Sequence, residues 1–355
     1  MEVGKKISAQ SFPMNEGDGP YSYVKNSTMQ REGANKTKDS INEVIAESLE
    51  IESFSASNSF TIADLGCSTG PNTFDAVQNI LEAVELKFQK FQSRDISVPE
   101  FKVYFNDHVD NDFNTLFKSI PLNKSYFVAG VPGSFFGRLF PKASVHFVHS
   151  SYSLHWLSMV PTQLLDKSSS AWNKGRISYT NATKEVLEAY SAQFTKDMGS
   201  FLNTRAVEVV PGGLMALILL ASEDENLPPK PTITVEVLVE SCLMDMVKMG
   251  ILSEAEVDSF NIPIYRTSRK EMELLIQKNQ YFGIEKIEIM EFSLPVSEVF
   301  SNSIRCILEG VITKHFGSDV MDELFNRFTK KFEMARNSGF KADDMLVVLK
   351  RKLTC

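Results

Sequence analysis

Basic charge is in short supply. Lys and Arg total 37 against 45 Asp and Glu, for a net charge of −8. Nucleic acid and anionic lipid both call for a basic face, and the only basic run, KRK at 350–352, is too short to provide one. Cysteine is scarce as well. Cys67, Cys242, Cys306 and Cys355 are scattered, with no C-x-x-C and no histidine at ligand spacing, which argues against zinc. Lone thiols in 355 residues suit a reducing compartment. The longest apolar run, LMALILLA at 214–221, is far too short to span a bilayer, and the opening MEVGKKISAQSFPMNEGDG has no apolar signal segment. No internal repeat is visible. A soluble, cytoplasmic protein without nucleic-acid or membrane partners is expected.

What is present is a core-forming composition, 43% hydrophobic, arranged as alternating strand and helix patterns. Strands are expected at 60–65, 101–105, 126–131, 143–149, 214–221, 282–290 and 344–350. Helical spacing is expected at 38–50, 73–91, 111–119, 183–210, 233–248, 268–279 and across 298–336. The stretch before about residue 37 shows no clear periodicity, and Pro211-Gly212-Gly213 reads as a sharp break before a strand. SASNS at 55–59, SRDISVPE at 93–100 and the acidic, proline-rich 223–232 read as loops. Such alternation predicts an α/β fold with a parallel-rich sheet and helices on both faces. The helical material at 223–280 and 298–336 exceeds what crossovers need and is expected to cap the carboxyl edge of the sheet, where open α/β sheets bind ligands. The remainder, 1–222 with 281–297 and 337–355, would be the core.

The most informative turn is FTIADLGCSTGPNT at 60–73. It is no phosphate loop, because no Lys-Ser/Thr pair follows the glycines, and it is no dinucleotide fingerprint, because the spacing is G-x-x-x-G. Gly66 and Gly70 would let the chain turn tightly and approach a ligand, and Asp64 would repel a pyrophosphate. A ligand bearing a cation and an amino-acid moiety, as S-adenosylmethionine does, suits that acid, and Asp107 at the end of the second strand would then hold ribose hydroxyls. The same residues also suit a bare tight turn with Asp107 capping a helix. The pattern alone leaves both open.

Longer matches extend the reading. SYVKNSTMQ at 22–30, ADLGCSTGPNT at 63–73, FNDHVDNDFNTLF at 105–117, GVPGSFFGRLFP at 130–141, HSSYSLHWLS at 149–158, NKG at 173–175, VPGGLM at 210–215 and DSFNIPIY at 258–265 follow one another along nearly the whole chain. In these the sequence resembles the plant SABATH methyltransferases, S-adenosylmethionine-dependent enzymes that act on the carboxylates of small acids or on xanthine-type nitrogens. The resemblance implies a Rossmann-like class I methyltransferase sheet with an α-helical cap, and a homodimer. It implies cofactor contacts from Tyr23, Ser27, Asp64, Asn72, Asp107, His108, Ser134 and Phe135. It places Gln30 and Trp156 on the substrate carboxylate as neutral donors, with His155 beside them, and assigns Tyr152, Glu236, Tyr265 and Ile304 to the substrate. Some relatives bind Mg²⁺, and Asn173, Asp258, Phe260 (through its carbonyl) and Asn261 match that pattern of oxygen donors. Glu236 stands where relatives carry an aromatic or a histidine. A carboxylate there would favour a substrate with hydroxyl or amine donors.

Blander roles attach to other residues. His146 and His149 lie on an apolar strand as core histidines, His315 near a helix C-terminus, and Arg305 inside an apolar helix, where it calls for a buried partner. The functions that follow are carboxyl O-methylation of a small plant acid, N-methylation of a xanthine-like or amine acceptor, or binding of a small acid without catalysis. The glycine spacing disfavours a nicotinamide dehydrogenase.

Overall fold

The computed structural model describes residues 10–51, 59–91, 98–222, 232–291, 294–336, 338, 340 and 343–353. The N-terminal 1–9, most of the expected loops at 55–58, 93–97 and 223–231, the start of the expected cap at 223, and Cys355 lie outside them. Among the described residues, no helix is long and apolar enough to cross a membrane.

Seven strands form one sheet: β1 (Ser59–Leu65), β2 (Glu100–Asp107), β3 (Tyr126–Pro132), β4 (Val145–Ser151), β5 (Val209–Ala221), β6 (Phe282–Glu291) and β7 (Asp343–Arg351). Their order is β3-β2-β1-β4-β5-β7-β6. Strands β1 to β5 pair in parallel, and β7 runs antiparallel between β5 and β6. The order reverses between β1 and β4, so a crevice opens beyond their carboxyl ends. Asp64 and Asp107 lie at the ends of β1 and β2, and Tyr152 follows β4. Because β7 is reversed, its first residues, including Asp344, come to the same edge, beside Leu220 of β5.

The central strands are buried on both faces, which is why they read as continuous apolar runs. Along β5, Leu214, Ala216 and Ile218 enter one core, and Met215, Leu217 and Leu219 enter the other. Helices α2 (Thr28–Ser48) and α3 (Asn72–Phe91) cover the first; α5 (Lys184–Glu208) and α8 (Arg269–Asn279) cover the second. A third apolar cluster joins α6 (Val235–Lys248), α7 (Glu254–Asp258), α9 (Ser297–Phe316) and α10 (Met321–Arg336). The short α1 (Tyr23–Asn26) precedes α2, and α4 (Phe113–Lys118) follows β2.

Two expectations change. The helix expected from 38 begins at Thr28. Its first turns set Gln30 against a cavity, Gly33 against Tyr152 and only Met29 against an apolar cluster, so no continuous apolar stripe marks them. Pro211-Gly212-Gly213 does not end an element. It lies inside β5, where the register against β4 jumps from Val145–Val209 to Phe147–Leu214. A Cβ on Gly213 would stand 2.8 Å from the His146 carbonyl oxygen, so the glycine permits a close backbone approach at a bulge.

Of the residues read as structural, Arg305 is buried but its partners are not: Glu309 is partly exposed and Asp322 lies at the surface. It bonds Glu309 at 3.1 Å and Asp322 at 2.8 Å, and its guanidinium stacks 3.6 Å from the Tyr21 ring centroid. His315 lies in the last turn of α9, and its Nε2 is 2.9 Å from the Glu256 carbonyl oxygen. His146 Nδ1 accepts from the Thr61 amide at 3.0 Å.

Candidate active site

Gly66 opens the turn after β1 with φ +82°, a left-handed conformation that favours glycine. A Cβ there would fall 1.9 Å from Ser153 Oγ. Gly70 is different: its Cβ would sit at an ordinary 3.5 Å from Ser27 and Tyr23. Asp64, just before the turn, is buried and bonded twice inside the protein. His149 Nδ1 lies 2.6 Å from its Oδ1, and the Thr73 hydroxyl donates to its Oδ2. His149 is therefore more than core filling: it holds an acid that lines a cavity. Asp107 accepts from the backbone of Ser68 (2.8 Å) and of His108 (2.7 Å). Burial raises its pKa, and these two bonds oppose the rise.

Three spaces with shared lining residues lie at this edge, two of them walled by these acids. One, of about 390 Å³ out to its mouth, is lined by Tyr23, Gln30, Asp64, Gly66, Asn72 and His149 among others. A second, of about 610 Å³, is lined by Tyr23, Gly66, Ser68, Asp107, His108, Phe135 and Trp156 among others. The third, of about 810 Å³, carries Gln30, Tyr152, His155, Trp156, Glu236, Ile304 and Arg266. Tyr23 lines all three, and Tyr152 and Trp156 line both larger ones. These aromatic side chains form a wall common to the acid-rich spaces and the third.

The expected cofactor residues Tyr23, Asp64, Asn72, Asp107, His108 and Phe135 all line the first two spaces. Ser27 and Ser134 do not. Ser27 is buried and accepts from Asn72 Nδ2 at 3.0 Å, tying α2 to the start of α3, and Ser134 Oγ accepts from the Phe136 amide at 3.4 Å. Both shape the walls from behind. A cationic amino-acid and nucleoside ligand fits the remainder: the buried Asp64 and half-buried Asp107 carboxylates, the Phe135 ring, and a buried Ser68 hydroxyl with no partner among the described residues. Phe135 is held from α5. Arg205 donates to the Phe135 and Gly137 carbonyls at 2.9 Å each, and Glu208 accepts from the Leu139 and Phe140 amides at 2.6 and 3.0 Å. The two pair with each other at 2.6 Å, fully buried.

In the third space the expected Gln30, His155, Trp156, Tyr152, Glu236 and Ile304 come together. Tyr265 does not. Residues 155–157 and 263–265 pair as a short antiparallel bridge, with Tyr265 N donating to His155 O at 2.9 Å and Leu157 N to Pro263 O at 2.8 Å. In an extended segment alternate side chains face opposite ways. Ile264 and Arg266 therefore line the cavity, while the Tyr265 ring enters the core and its hydroxyl donates to Glu271. Burial, reinforced by Arg266, pushes His155 down to about 3, so its ring is neutral at physiological pH. Arg266 Nη2 donates to Glu236 at 3.2 Å, and Tyr152 Oη donates to Asp344 at 2.6 Å. Burial pushes Asp344 up to about 6.

Arg266 and Asp344 escaped the sequence reading. Arg266 follows directly on DSFNIPIY. Asp344, an acid opening an apolar strand, repeats the signal that drew notice to Asp64.

Of the four residues expected to hold Mg²⁺, three tie loops together through hydrogen bonds. Asn173 Nδ2 donates to Asn261 Oδ1 at 2.6 Å and to Ser178 O at 3.1 Å, and Asp258 Oδ1 accepts from Gly175 N at 2.7 Å. Phe260 packs its ring among His315 and Phe316. The Asn261 oxygen a cation would need is engaged by Asn173, and only one carboxylate is present. Among the described residues, no group of three His, Cys, Asp or Glu side chains could hold a metal. Asn173 Oδ1 is buried with no hydrogen-bond partner among the described residues, so the set keeps one oxygen donor unused besides the Asp258 carboxylate.

A family profile described as SAM dependent carboxyl methyltransferase matches residues 9–352. Loganic acid O-methyltransferase of Catharanthus roseus is 43% identical over 358 residues, covering 97% of this chain and 95% of that protein. Farnesoic acid carboxyl-O-methyltransferase of Arabidopsis thaliana is 38% identical over 350 residues, covering 96% of this chain and 99% of that one. A solved structure of loganic acid methyltransferase with SAH superposes with a TM-score of 0.90 at 43% identity, covering 96% of this chain and 99% of that chain.

Proposed function

Because the chain belongs to the SAM dependent carboxyl methyltransferase family, we propose that the spaces meeting at Tyr23, Tyr152 and Trp156 hold the donor and the acceptor of one methyl transfer. The protein is an S-adenosylmethionine-dependent methyltransferase of the carboxylate of a small plant acid. The observation that supports this assignment of the spaces is their shared wall: two carboxylates on one side, and the neutral donors Gln30 and Trp156 on the other.

Bound S-adenosylmethionine supplies a methyl group activated by its sulfonium and leaves as S-adenosylhomocysteine. On the protein's side, Asp64 faces the ammonium of the methionine part, Asp107 the ribose hydroxyls, and Phe135 the adenine. Carboxylic acids ionise near pH 4, so the acceptor is already anionic at neutral pH and needs no general base. Gln30 and Trp156 orient that carboxylate through an amide N–H and an indole N–H without neutralising it. Holding both reactants in line removes about 7–11 kcal/mol of the barrier. His155, neutral across the working range, adds polarity without a competing charge. A group whose conjugate acid sits near 3 is a weak base, which favours a carboxyl acceptor over a nitrogen that must lose a proton.

We assign α6, α7, α9 and α10 to a cap that excludes water from the acceptor, and the other described elements, with α8 on the sheet face, to the cofactor core. The buried, unpaired thiols of Cys67, Cys242 and Cys306 favour a cytoplasmic setting, and family resemblance favours a homodimer. Methyl-labelled cofactor incubated with a panel of iridoid, terpenoid, aromatic and indole acids tests the reading. Label in base-labile methyl esters is expected. Label stable to base, on nitrogen, would transfer the assignment to amine acceptors.

A further inference from the structure

The acceptor cavity has a charged wall that the carboxylate clamp does not use. Glu236 and Asp344 are buried, and the Arg266 side chain is nearly so. Glu236 comes from the first turn of α6, Arg266 from the bridge beside His155, and Asp344 from the start of β7. Among the described residues, Glu236 is the sole hydrogen-bond partner of the guanidinium, through Nη2 at 3.2 and 3.5 Å, and Arg266 Nε is buried with none. Asp344 keeps one oxygen on Tyr152.

The wall holds one cation against two carboxylates, so it offers a substrate anion no net attraction and leaves the acceptor carboxylate to Gln30 and Trp156. The wall also pairs a donor-only group with acceptor-only groups. An aliphatic or aromatic tail laid against it would strip water from both and satisfy neither. A ketone would serve only Arg266, and an amine only the carboxylates. A hydroxyl both donates and accepts, and several neighbouring hydroxyls would serve the whole wall.

We propose that Arg266, Glu236 and Asp344 determine specificity, selecting a monocarboxylic acid whose far portion is hydroxyl-rich, as in a polyol or glycosyl group, and fixing which end meets the cofactor. This rests on the reading of the cavity as the acceptor site.

Matched acids test it: cyclohexanecarboxylate against its tetrahydroxylated counterpart quinate, and benzoate against a glucosyloxybenzoate. The wild-type enzyme is expected to favour the hydroxylated member of each pair by about tenfold or more in kcat/KM. Arg266→Met combined with Glu236→Leu removes both charges together, so neither is left buried alone. That variant should lose the preference, while S-adenosylhomocysteine titration shows it folded. Equal or better turnover of the unhydroxylated acids by the wild-type enzyme overturns the proposal whatever the variant does. A preference unchanged in the folded variant overturns it as well. Absence of ester from every acid, with S-adenosylhomocysteine still bound, would instead overturn the acceptor reading beneath it.

Discussion

His149 Nδ1 lies 2.6 Å from Asp64 Oδ1, and both side chains are buried at the first turn of the sheet. The two residues are neighbours in register across β1 and β4. The contact fixes the orientation of the carboxylate that lines the cofactor space. A hydrogen bond to a charged group contributes about 1.5–3 kcal/mol. His149→Phe should therefore weaken S-adenosylhomocysteine binding by roughly ten- to a hundredfold by calorimetry. His149→Asn, which keeps a donor near the Nδ1 position, should recover part of the loss. Equal affinity in all three proteins would remove the role.

The two glycines of the same turn should respond differently to one methyl group. At Gly66 alanine meets both a left-handed backbone, costing roughly 1–2 kcal/mol, and the Ser153 side chain. At Gly70 it meets ordinary contact distances. Gly66→Ala is expected to lower the melting temperature and cofactor affinity together. Gly70→Ala should stay close to wild type in thermal unfolding; matching losses in both would contradict the geometry.

Asp344 makes stability depend on pH. Its folded pKa, raised to about 6 by burial, exceeds the unfolded value, so the folded state holds the proton longer. That contribution is fully present below the unfolded pKa and is lost as pH rises from about 4 through about 6, amounting to about 2–3 kcal/mol. Asp344→Asn, uncharged throughout, should flatten this part of the pH profile in urea unfolding at pH 4.5 and 7.5. Parallel profiles would show that the carboxyl titrates normally.

Arg205 and Glu208 form a fully buried pair that carries the backbone around Phe135. Removing Arg205 leaves the buried Glu208 with only the half-exposed Arg138, at 3.2 Å, so Arg205→Met should cost up to about 3–5 kcal/mol in denaturant unfolding. Arg205→Met with Glu208→Leu should regain much of that stability. Cofactor affinity should stay low, because the Phe135 and Gly137 carbonyls still lack their donor. Full recovery of affinity in the double variant would make the pair purely structural.

Much of the fold was legible because the chemistry is local. β1 is an apolar run that closes on an acid and a glycine, and α3 carries Phe74, Val77, Leu81, Val84 and Phe88 at helical spacing. Gln30, His155, Trp156 and Glu236 do meet in one cavity. What stayed hidden depends on partners distant in sequence. The first turns of α2 face cavities and Tyr152, so Gly33 and Gln30 give no apolar period. His149 looked like core because strand register, not sequence, brings it to Asp64. Tyr265 and Arg266 exchanged roles because the alternation of the bridge is set by its pairing with His155 to Leu157. Asn173 and Asn261, both expected as metal ligands, bond each other across 88 residues, a contact that spacing cannot reveal.

The division between donor and acceptor spaces is tested most directly by Trp156→Ala, assayed for methyl ester formation with an acid the wild-type enzyme accepts and, in parallel, for S-adenosylhomocysteine affinity by calorimetry. We expect turnover to fall by at least about a hundredfold while the affinity stays within a few-fold. Undiminished ester formation, or turnover and affinity lost in equal measure, would contradict a carboxylate held by Trp156 at the wall between the two spaces.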